Sequence, residues 1–397
     1  MIQNEIANAI FSSGKYIKQC FLTELGRYYA GSSDSSPDFT QYMQMLEQLH
    51  TLYHSLGSGL ESPDRLIQEA ADSVPFPAGK GAVESFGRKY ISALNCILVN
   101  TIRFRRCYCC IQRNDIIPGI GSHMITNLGQ IITSLNDGYI PVIDTSNANN
   151  IFTEISRNHG KNAWELYFRQ PLSAGLQDVP AGEVKRLDGI PGFMPSYNMD
   201  CLMNPELISF WREAVRKYMP FSPELEAKIQ DALSSLPFNG DTRILGILCR
   251  GTDYTGTRPY NHPSQPPVEI ILSEAEEAMY RYQCDYCYLA TEDQQILKRF
   301  QDRFQNKLLT TQEIYYPSDL NNALNQSGIN SHIDIHQKNM EYLTALALLS
   351  KCQLLIGGRT SGIVVSILLS DGFEHTHIWD NGRYGIDDAF TLASHIL

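Results

Sequence analysis

Apolar residues recur at spacings of three and four from residue 1 to about 95. IANAIFSSGKYIKQCFLTELGRYY and YMQMLEQLHTLYHSL are the clearest stretches. That period predicts helices with one apolar face. Polar breaks fall at 31–37 and at 62–80, the second with three prolines and the run PFPAGKG. Residues 1–95 are therefore read as a helical N-terminal segment, which either packs on the next domain or joins copies into an oligomer.

The pattern changes near residue 105. Arg106 leads the short apolar strand CYCCIQR, GIGSHMITNLGQIITSLNDG (119–138) is a glycine-led turn with an amphipathic helix, and YIPVIDT (139–145) is a strand. A strand, helix and strand in this order predict a parallel sheet. NAWELYFRQP (162–171) reads as a short helix and 172–200, rich in glycine and proline, as mostly loop. A second series starts near Thr242. Strands are expected at 243–250, 285–292, 307–311, 353–358 and 375–380, with helices at 268–283, 293–304, 339–352 and 360–372. That alternation predicts a doubly wound α/β domain, with ligands beyond the carboxyl ends of its strands. The expected domains are 1–95, 96–240 and 241–397, the last two Rossmann-like and facing a cleft.

Composition narrows the classes. At 43% hydrophobic and 10% aromatic, the 397-residue chain is neither disordered nor collagen-like. No run approaches 18 apolar residues, so no transmembrane helix is expected. A net charge of −11 argues against nucleic acid as the main partner, although a basic pocket can still bind phosphate. The N-terminus carries Glu5 where an export signal has a basic start. Ten cysteines, several inside apolar runs, read as buried free thiols of a cytoplasmic protein. The pair Cys284 and Cys287 has no second pair at zinc-site spacing.

The most informative stretch follows the strand at 243–250. Arg250 falls at that strand's carboxyl end, where a guanidinium can hold phosphate bidentately. Gly251 allows close backbone approach, and Asp253 can orient Arg250 or accept from a sugar hydroxyl. The plainer alternative is an Arg–Asp pair that only fixes a loop. Gly357, Gly358, Arg359, Thr360 and Ser361 lie between a strand and a helix, which makes either a phosphate cradle or a capped tight turn. Neither the dinucleotide fingerprint nor the Walker lysine is present. Thr291, Glu292 and Asp293 end another strand and can hold a base or ribose, or cap the next helix. Gly119 and Gly121 can admit a sugar or be turn glycines. His262, before Pro263, is a ligand-facing or simply a hydrogen-bonded loop residue.

Together these residues resemble the fucosyltransferases that use GDP-fucose: the α1,6, rhizobial nodulation and protein O-fucosyltransferases. Arg250, Thr252, Asp253, Gly256, Thr257, His262 and Pro263 fall into the spacing of the α1,6 enzymes without a gap. Ala290 to Asp293 is similar to that group's Ala-Thr-Asp-Asp strand end, and Leu349 to Cys352 with Ser361 to its Leu-Ser segment. The glycine turn at 119–121 and the NAW stretch are similar to the acceptor-side domain of related bacterial enzymes. The resemblance spans about 105–385 and implies a GT-B fold.

It further implies a nucleotide sugar and a glycan acceptor as partners, and no metal or other cofactor. Arg250 would hold the β-phosphate, and Gly358, Arg359, Thr360 and Ser361 would cap the diphosphate. Gly251, Thr291, Glu292 and Asp293 would lie near the nucleotide. Gly119, Gly121, Tyr254, Arg258 and His262 are the substrate-side candidates. The chain departs from the pattern at several points. Leu248 and Cys249 replace the lead-in histidine, Gly251 the second arginine, and Tyr254 and Arg258 the loop lysine and glutamate. The guanine-reading aspartate falls near Ala345, with Glu341 one helical turn earlier as substitute. Arg258 cannot take a proton near neutral pH, so Asp253 is the first candidate for the base and Glu292 the second. The rival readings are a GT-B transferase for another nucleotide sugar and a non-catalytic glycan- or nucleotide-binding module.

Overall fold

The computed structural model describes residues 2–31, 38–57, 62–74, 79–182, 184–196, 203–318 and 334–387. Of Asp253 it describes only the backbone, as part of a short helix. Residues 32–37 and 75–78 of the expected breaks, and Cys201, lie outside the described residues. The chain divides into two compact units, 1–109 with 132–141 and 183–185, and the remainder.

The first unit is built mainly from the helices α1 (Ile2–Tyr29), α2 (Phe39–His54), α3 (Asp64–Ala71) and α4 (Lys80–Arg105). The helix period of the sequence becomes a buried stripe on each. Phe21 of α1 meets Tyr42 of α2 edge-on at 4.9 Å and Tyr90 of α4 at 4.5 Å, and Phe39 meets Phe86 at 4.8 Å. Gly14 lets α1 approach α4: a Cβ there would fall 2.6 Å from Leu98 Cδ2. The buried tyrosines keep their hydroxyls paired, Tyr90 donating to the Tyr42 carbonyl and Tyr42 to Glu24. One correction belongs here: α3 forms inside the stretch read as a break, because IQEAA carries enough helix period to bury Ile67 and Ala70.

A small sheet has the order β2-β1-β3, made of β1 (Tyr108–Ile111), β2 (Ile140–Ile143) and β3 (Lys185–Leu187). β1 and β2 are joined by α5 (Ile120–Asn136), as the strand-helix-strand pattern predicts. β3 falls in the region expected to be mostly loop; three polar or half-buried residues leave no alternation to read. The helix expected at 162–171 is one turn, α7 (Trp164–Tyr167), after α6 (Thr153–His159). Two helices the pattern did not single out follow, α8 (Pro205–Tyr218) and α9 (Pro223–Ser235). Each has proline in its first turn and a side-chain N-cap, Asn204 and Ser222.

The second unit is dominated by a five-stranded sheet of order β6-β5-β4-β7-β8. Its strands are β4 (Ile244–Leu248), β5 (Tyr286–Ala290), β6 (Leu308–Leu309), β7 (Leu354–Gly358) and β8 (His375–Trp379), and every neighbouring pair is parallel. The connecting helices are α10 (Thr252–Thr257), α11 (Val268–Arg281), α12 (Gln294–Phe304), α13 (Ile335–Leu349) and α14 (Ser361–Leu369). β4 and β7 are buried along their whole length, which is why both read as unbroken apolar runs. Leu245, Ile247, Leu289 and Ile356 pack with Ala275 of α11 and Phe300 of α12 in one core. From β4 the chain builds outward through β5 and β6, then crosses back to β7 and β8. The order therefore reverses between β4 and β7, the switch point of a doubly wound sheet. No helix among the described residues is long and apolar enough to cross a membrane.

The described cysteines are all free thiols. Burial pushes the Cys284 thiol up and that of Cys287 up to about 12, away from metal ligation or redox work near neutral pH.

His123 of α5 is buried edge-on against Phe152, and its Nε2 has no hydrogen-bond partner among the described residues. Burial, then the nearby Arg113 charge, pushes it down to about 3. The folded protein keeps this imidazole neutral while the unfolded chain protonates it below about 6.5, so stability falls as pH drops from about 6.5 toward 3. His123→Phe should flatten that fall by up to about 1.4 kcal/mol per pH unit, measured as urea-unfolding free energy across this window. Identical slopes in both proteins would refute the assignment.

Candidate active site

Parallel register aligns the strand ends. Leu248 of β4 stands beside Ala290 of β5 and Gly357 of β7, and Gly358 of β7 beside Trp379 of β8. The segments that follow, at 250–252, 291–293 and 359–361 and at Asp380, emerge along one sheet edge. β4 and β7 approach closely here, since a Cβ on Gly357 would fall 2.6 Å from the Leu248 carbonyl oxygen.

The Arg250 loop is held by the β5 strand end. Arg250 Nε lies 3.2 Å from Glu292 Oε1, and its guanidinium lies 5.5 Å from the centre of the Tyr254 ring. The same Glu292 oxygen accepts from the Gly251 N–H and the Thr252 hydroxyl, each at 3.0 Å. Asp293 Oδ2 accepts from the Thr252 N–H at 2.9 Å. Its Oδ1 caps α12, accepting from the N–H groups of Gln295 and Ile296 at 2.8 and 3.0 Å and from the Ser318 hydroxyl. Thr291 accepts from the Asp293 N–H, and its own N–H donates to Gln312. Asp293 is thus the helix cap that the sequence left as an alternative, and Glu292 is the described carboxylate paired with Arg250.

This clamp holds an unusual backbone. Thr252 is buried at φ +44°, a left-handed conformation rare for a β-branched residue. Such a conformation costs on the order of 1–3 kcal/mol and persists only where surrounding contacts enforce it. Gly251 beside it must be glycine, because a Cβ would lie 2.5 Å from Asp293 Oδ2. The structure turns 252–257 into α10, where the sequence reading has only loop.

The β7 end faces the clamp across the switch point. Thr360 caps α14 by accepting from the Ile363 N–H at 3.2 Å. Arg359 is buried and paired with Asp380, while its Nε has no hydrogen-bond partner among the described residues. Gln265 donates to the Arg359 carbonyl at 3.1 Å, and a Cβ on Gly358 would meet that Gln265 side chain. Ser361 opens α14. A Cβ on Gly121, in the first turn of α5, would stand 3.5 Å from the Cβ of Ser361 and 3.5 Å from the Tyr342 ring. Gly119 closes the same first turn, its carbonyl accepting from the N–H groups of Ser122 and His123. The N-termini of α5 and α14 therefore meet, and the positive ends of two helices favour an anion.

Tyr342 of α13 joins the halves. Its hydroxyl is hydrogen-bonded to Arg250; burial pushes the phenol up, and the Arg250 charge opposes that rise. The sequence reading passed over this residue. Its signal was chemical: a tyrosine in a helix as apolar as NMEYLTALALLSKC needs a partner for its hydroxyl. Glu341 beside it is buried. It accepts from the N–H groups of Glu313 and Ile314, each at 3.3 Å, and from Gln337 at 3.1 Å. Tyr316 is pushed up to about 12 by burial first, then by Glu341, Asp334 and Glu292.

The remaining candidates line the loop beyond α10. His262 is exposed, with its ring 5.9 Å from that of Tyr254. The loop is pinned to the segment at 382–384, the Tyr384 N–H donating to the His262 carbonyl at 2.8 Å and the Ser264 N–H to that of Gly382. Arg258 is exposed at φ +44°. The structure thus gathers Arg250, Glu292 and Gly121 near Tyr342, with Ser361 against Gly121 and Gly251 against Glu292, and uses Thr291, Asp293, Glu341 and Thr360 as internal fastenings.

No protein-family model and no curated protein matches the chain. Comparison with solved structures finds the fucosyltransferases that use GDP-fucose. The NodZ alpha-1,6-fucosyltransferase soaked with GDP-fucose is 14% identical over 66% of this chain and 93% of its own, with a TM-score of 0.38. A mutant of Arabidopsis thaliana FUT1 in complex with GDP is 10% identical over 90% and 82%, with a TM-score of 0.40. POFUT1 in complex with GDP is 9% identical over 70% and 99%, with a TM-score of 0.40. These identities and scores are too low to carry a functional argument, which must come from this chain's own residues.

The Glu292 clamp makes a prediction. Glu292→Ala leaves the buried Gly251 N–H and Thr252 hydroxyl without their acceptor, and should cost about 2–4 kcal/mol. Glu292→Gln keeps an acceptor and should cost about half as much. Urea-unfolding midpoints at unchanged slope give both values; equal midpoints in all three proteins would remove Glu292 from this role.

Proposed function

We propose that the chain is an inverting glycosyltransferase of GT-B architecture, moving fucose from GDP-fucose to a glycan or glycoconjugate acceptor. The observation that carries the reading is the anion-favouring corner at the β4–β7 switch point. There Arg250, the N-terminus of α14 at Thr360 and Ser361, and the N-terminus of α5 at Gly121 converge. A nucleoside diphosphate suits this corner, because a guanidinium and two helix ends offset its charge without a metal. The buried Nε of Arg359 is a further donor at the same edge. The choice of GDP-fucose within that class rests on the motif spacing from Arg250 to Pro263.

In this reading Arg250 stabilises the GDP leaving group as the sugar–phosphate bond breaks. An acceptor hydroxyl attacks from the opposite face in a single displacement, and a base takes its proton. Glu292 orients Arg250. The expected domain boundaries at 95 and 240, and a cytoplasmic location, belong to the same proposal.

One observation favours a second reading, a nucleotide-sugar-binding module without turnover. The carboxylates described at this edge, Glu292, Asp293 and Glu341, are each engaged by structural donors. Asp253 is then the residue that separates the two.

GDP should raise the melting temperature, adding about 2.7 kcal/mol at a hundredfold excess over its dissociation constant. A shift with UDP or dTDP and none with GDP would overturn the donor assignment. Arg250→Ala should lower transfer about a hundredfold with the fold intact, and Arg250→Lys should recover only part, since an ammonium cannot copy the bidentate fork. Wild-type turnover in the alanine variant would make Arg250 structural.

Asp253→Asn removes basicity while keeping size. If Asp253 is the base, transfer should fall about a hundredfold or more with GDP binding kept. Equal loss of binding and transfer would assign it to orienting Arg250. Binding without transfer in the wild-type chain, across donors and acceptors, would establish the second reading.

A further inference from the structure

We propose that His50, His54 and Asp64, in the helical first unit, form a site for a divalent transition-metal ion of the zinc type. It is independent of the nucleotide-sugar reading. His50 and His54 lie one turn apart on α2, so both imidazoles project from the same helix face. Their rings are 4.2 Å apart, centre to centre. Asp64 reaches the same point from another element, as the first residue of α3. One ligand atom from each residue falls in a group with all separations within 4.8 Å.

The detailed distances suit a metal. His50 Nε2 lies 2.9 Å and His54 Nε2 3.7 Å from the single oxygen Asp64 Oδ1. Ligand atoms about 2.0–2.1 Å from a tetrahedral zinc ion stand about 3.3 Å from one another, and the two distances bracket that value. The Nε2 of His50 is itself buried, with Asp64 Oδ1 facing it. Two imidazole nitrogens converge on one carboxylate oxygen, the arrangement a shared cation would draw together.

The surroundings hold the ligands in place. The Ser62 hydroxyl donates to Asp64 Oδ2, leaving Oδ1 for the histidines. Such an outer contact orients a ligating carboxylate. Leu46, Leu49 and Tyr53 bury the adjoining stripe of α2, and Ile67 and Ala70 anchor α3. The His50 side chain is 18% exposed and those of His54 and Asp64 more than half, so an ion can enter from solvent. Two imidazoles and one carboxylate suit zinc, cobalt or nickel better than magnesium or calcium, which take oxygen ligands. A bound ion would tie α2 to α3, with a fourth position left for water.

The test uses the full-length chain, stripped with a chelator and titrated with Co²⁺ by visible absorption, then with Zn²⁺ in competition. The expected result is one equivalent of Co²⁺ with the intense bands of four-coordinate geometry, displaced by Zn²⁺, and a melting temperature raised by Zn²⁺ but not by Mg²⁺. His54→Ala and Asp64→Asn alter exposed side chains. Each should keep the helical circular dichroism and weaken Co²⁺ binding by more than the roughly 10–100-fold that outer contacts account for. Ser62→Ala should fall within that smaller range. No saturable Co²⁺ binding, or binding unchanged in both ligand variants, would overturn the proposal, as would a larger thermal shift with Mg²⁺ than with Zn²⁺.

Discussion

The register of β4 with its two neighbours determines where everything else at the sheet edge can be. Leu248 pairs with Ala290 on one side and with Gly357 on the other. A shift of one residue on either side would send Glu292 or Ser361 to the wrong face of the sheet. The register is held by strands buried on both faces, where slipping would strand apolar side chains in the wrong layer. It is tightened by the absence of a side chain at Gly357, whose backbone lies against the Leu248 carbonyl. The Arg250 loop inherits that precision through Glu292 and Asp293. Two neighbouring acidic residues hold the next loop by its backbone, and the strained Thr252 is the visible cost of the arrangement.

The parts of this architecture that could be read from the sequence share a physical reason. β4, β5 and β7 are buried, so their residues are apolar whatever side they face, and the helices between them alternate at helical period. Arg250 stood out because a charge that ends an apolar run has to meet solvent or a ligand. The three-residue β3 and the helix α3 were obscured, the first by its polar residues and the second by the prolines around it. The division of labour within Thr291, Glu292 and Asp293 was also hidden. Capping and ligand binding ask for the same residue types, and the choice depends on Gly251 and Thr252, about forty positions earlier. Tyr342 is hidden for a similar reason: its helix reads as plain core, and its hydroxyl partner lies in the loop after β4.

The electrostatics of the chain differ between the whole and the site. Across 397 residues acidic groups exceed basic ones, for a net charge of −11. At the sheet edge two buried or half-buried arginines and two helix N-termini gather fixed donors, each arginine beside a carboxylate. A phosphate arriving there gains little from long-range attraction and most from short contacts with fixed dipoles. Arg250 and Arg359 each carry a carboxylate partner, Glu292 and Asp380, so neither waits as a bare charge. Any anion must compete with or complement these partners, which favours a ligand with several oxygens over a single halide or acetate.

The thiols bear on how the molecule ages. Cys109, Cys110, Cys249, Cys284, Cys287 and Cys352 are all enclosed, and Cys249 and Cys352 are pushed far up by burial. Inside the fold all six are shielded from solvent. Cys287 lies in β5, and Cys249, Cys284 and Cys352 flank the ends of β4, β5 and β7, so an opening of the five-stranded sheet would expose several at once. Oxidation during such an opening would cross-link or decorate the strands before they return. Slow air oxidation would then act as a clock for local opening, and loss of unmodified protein would track how often the central sheet opens.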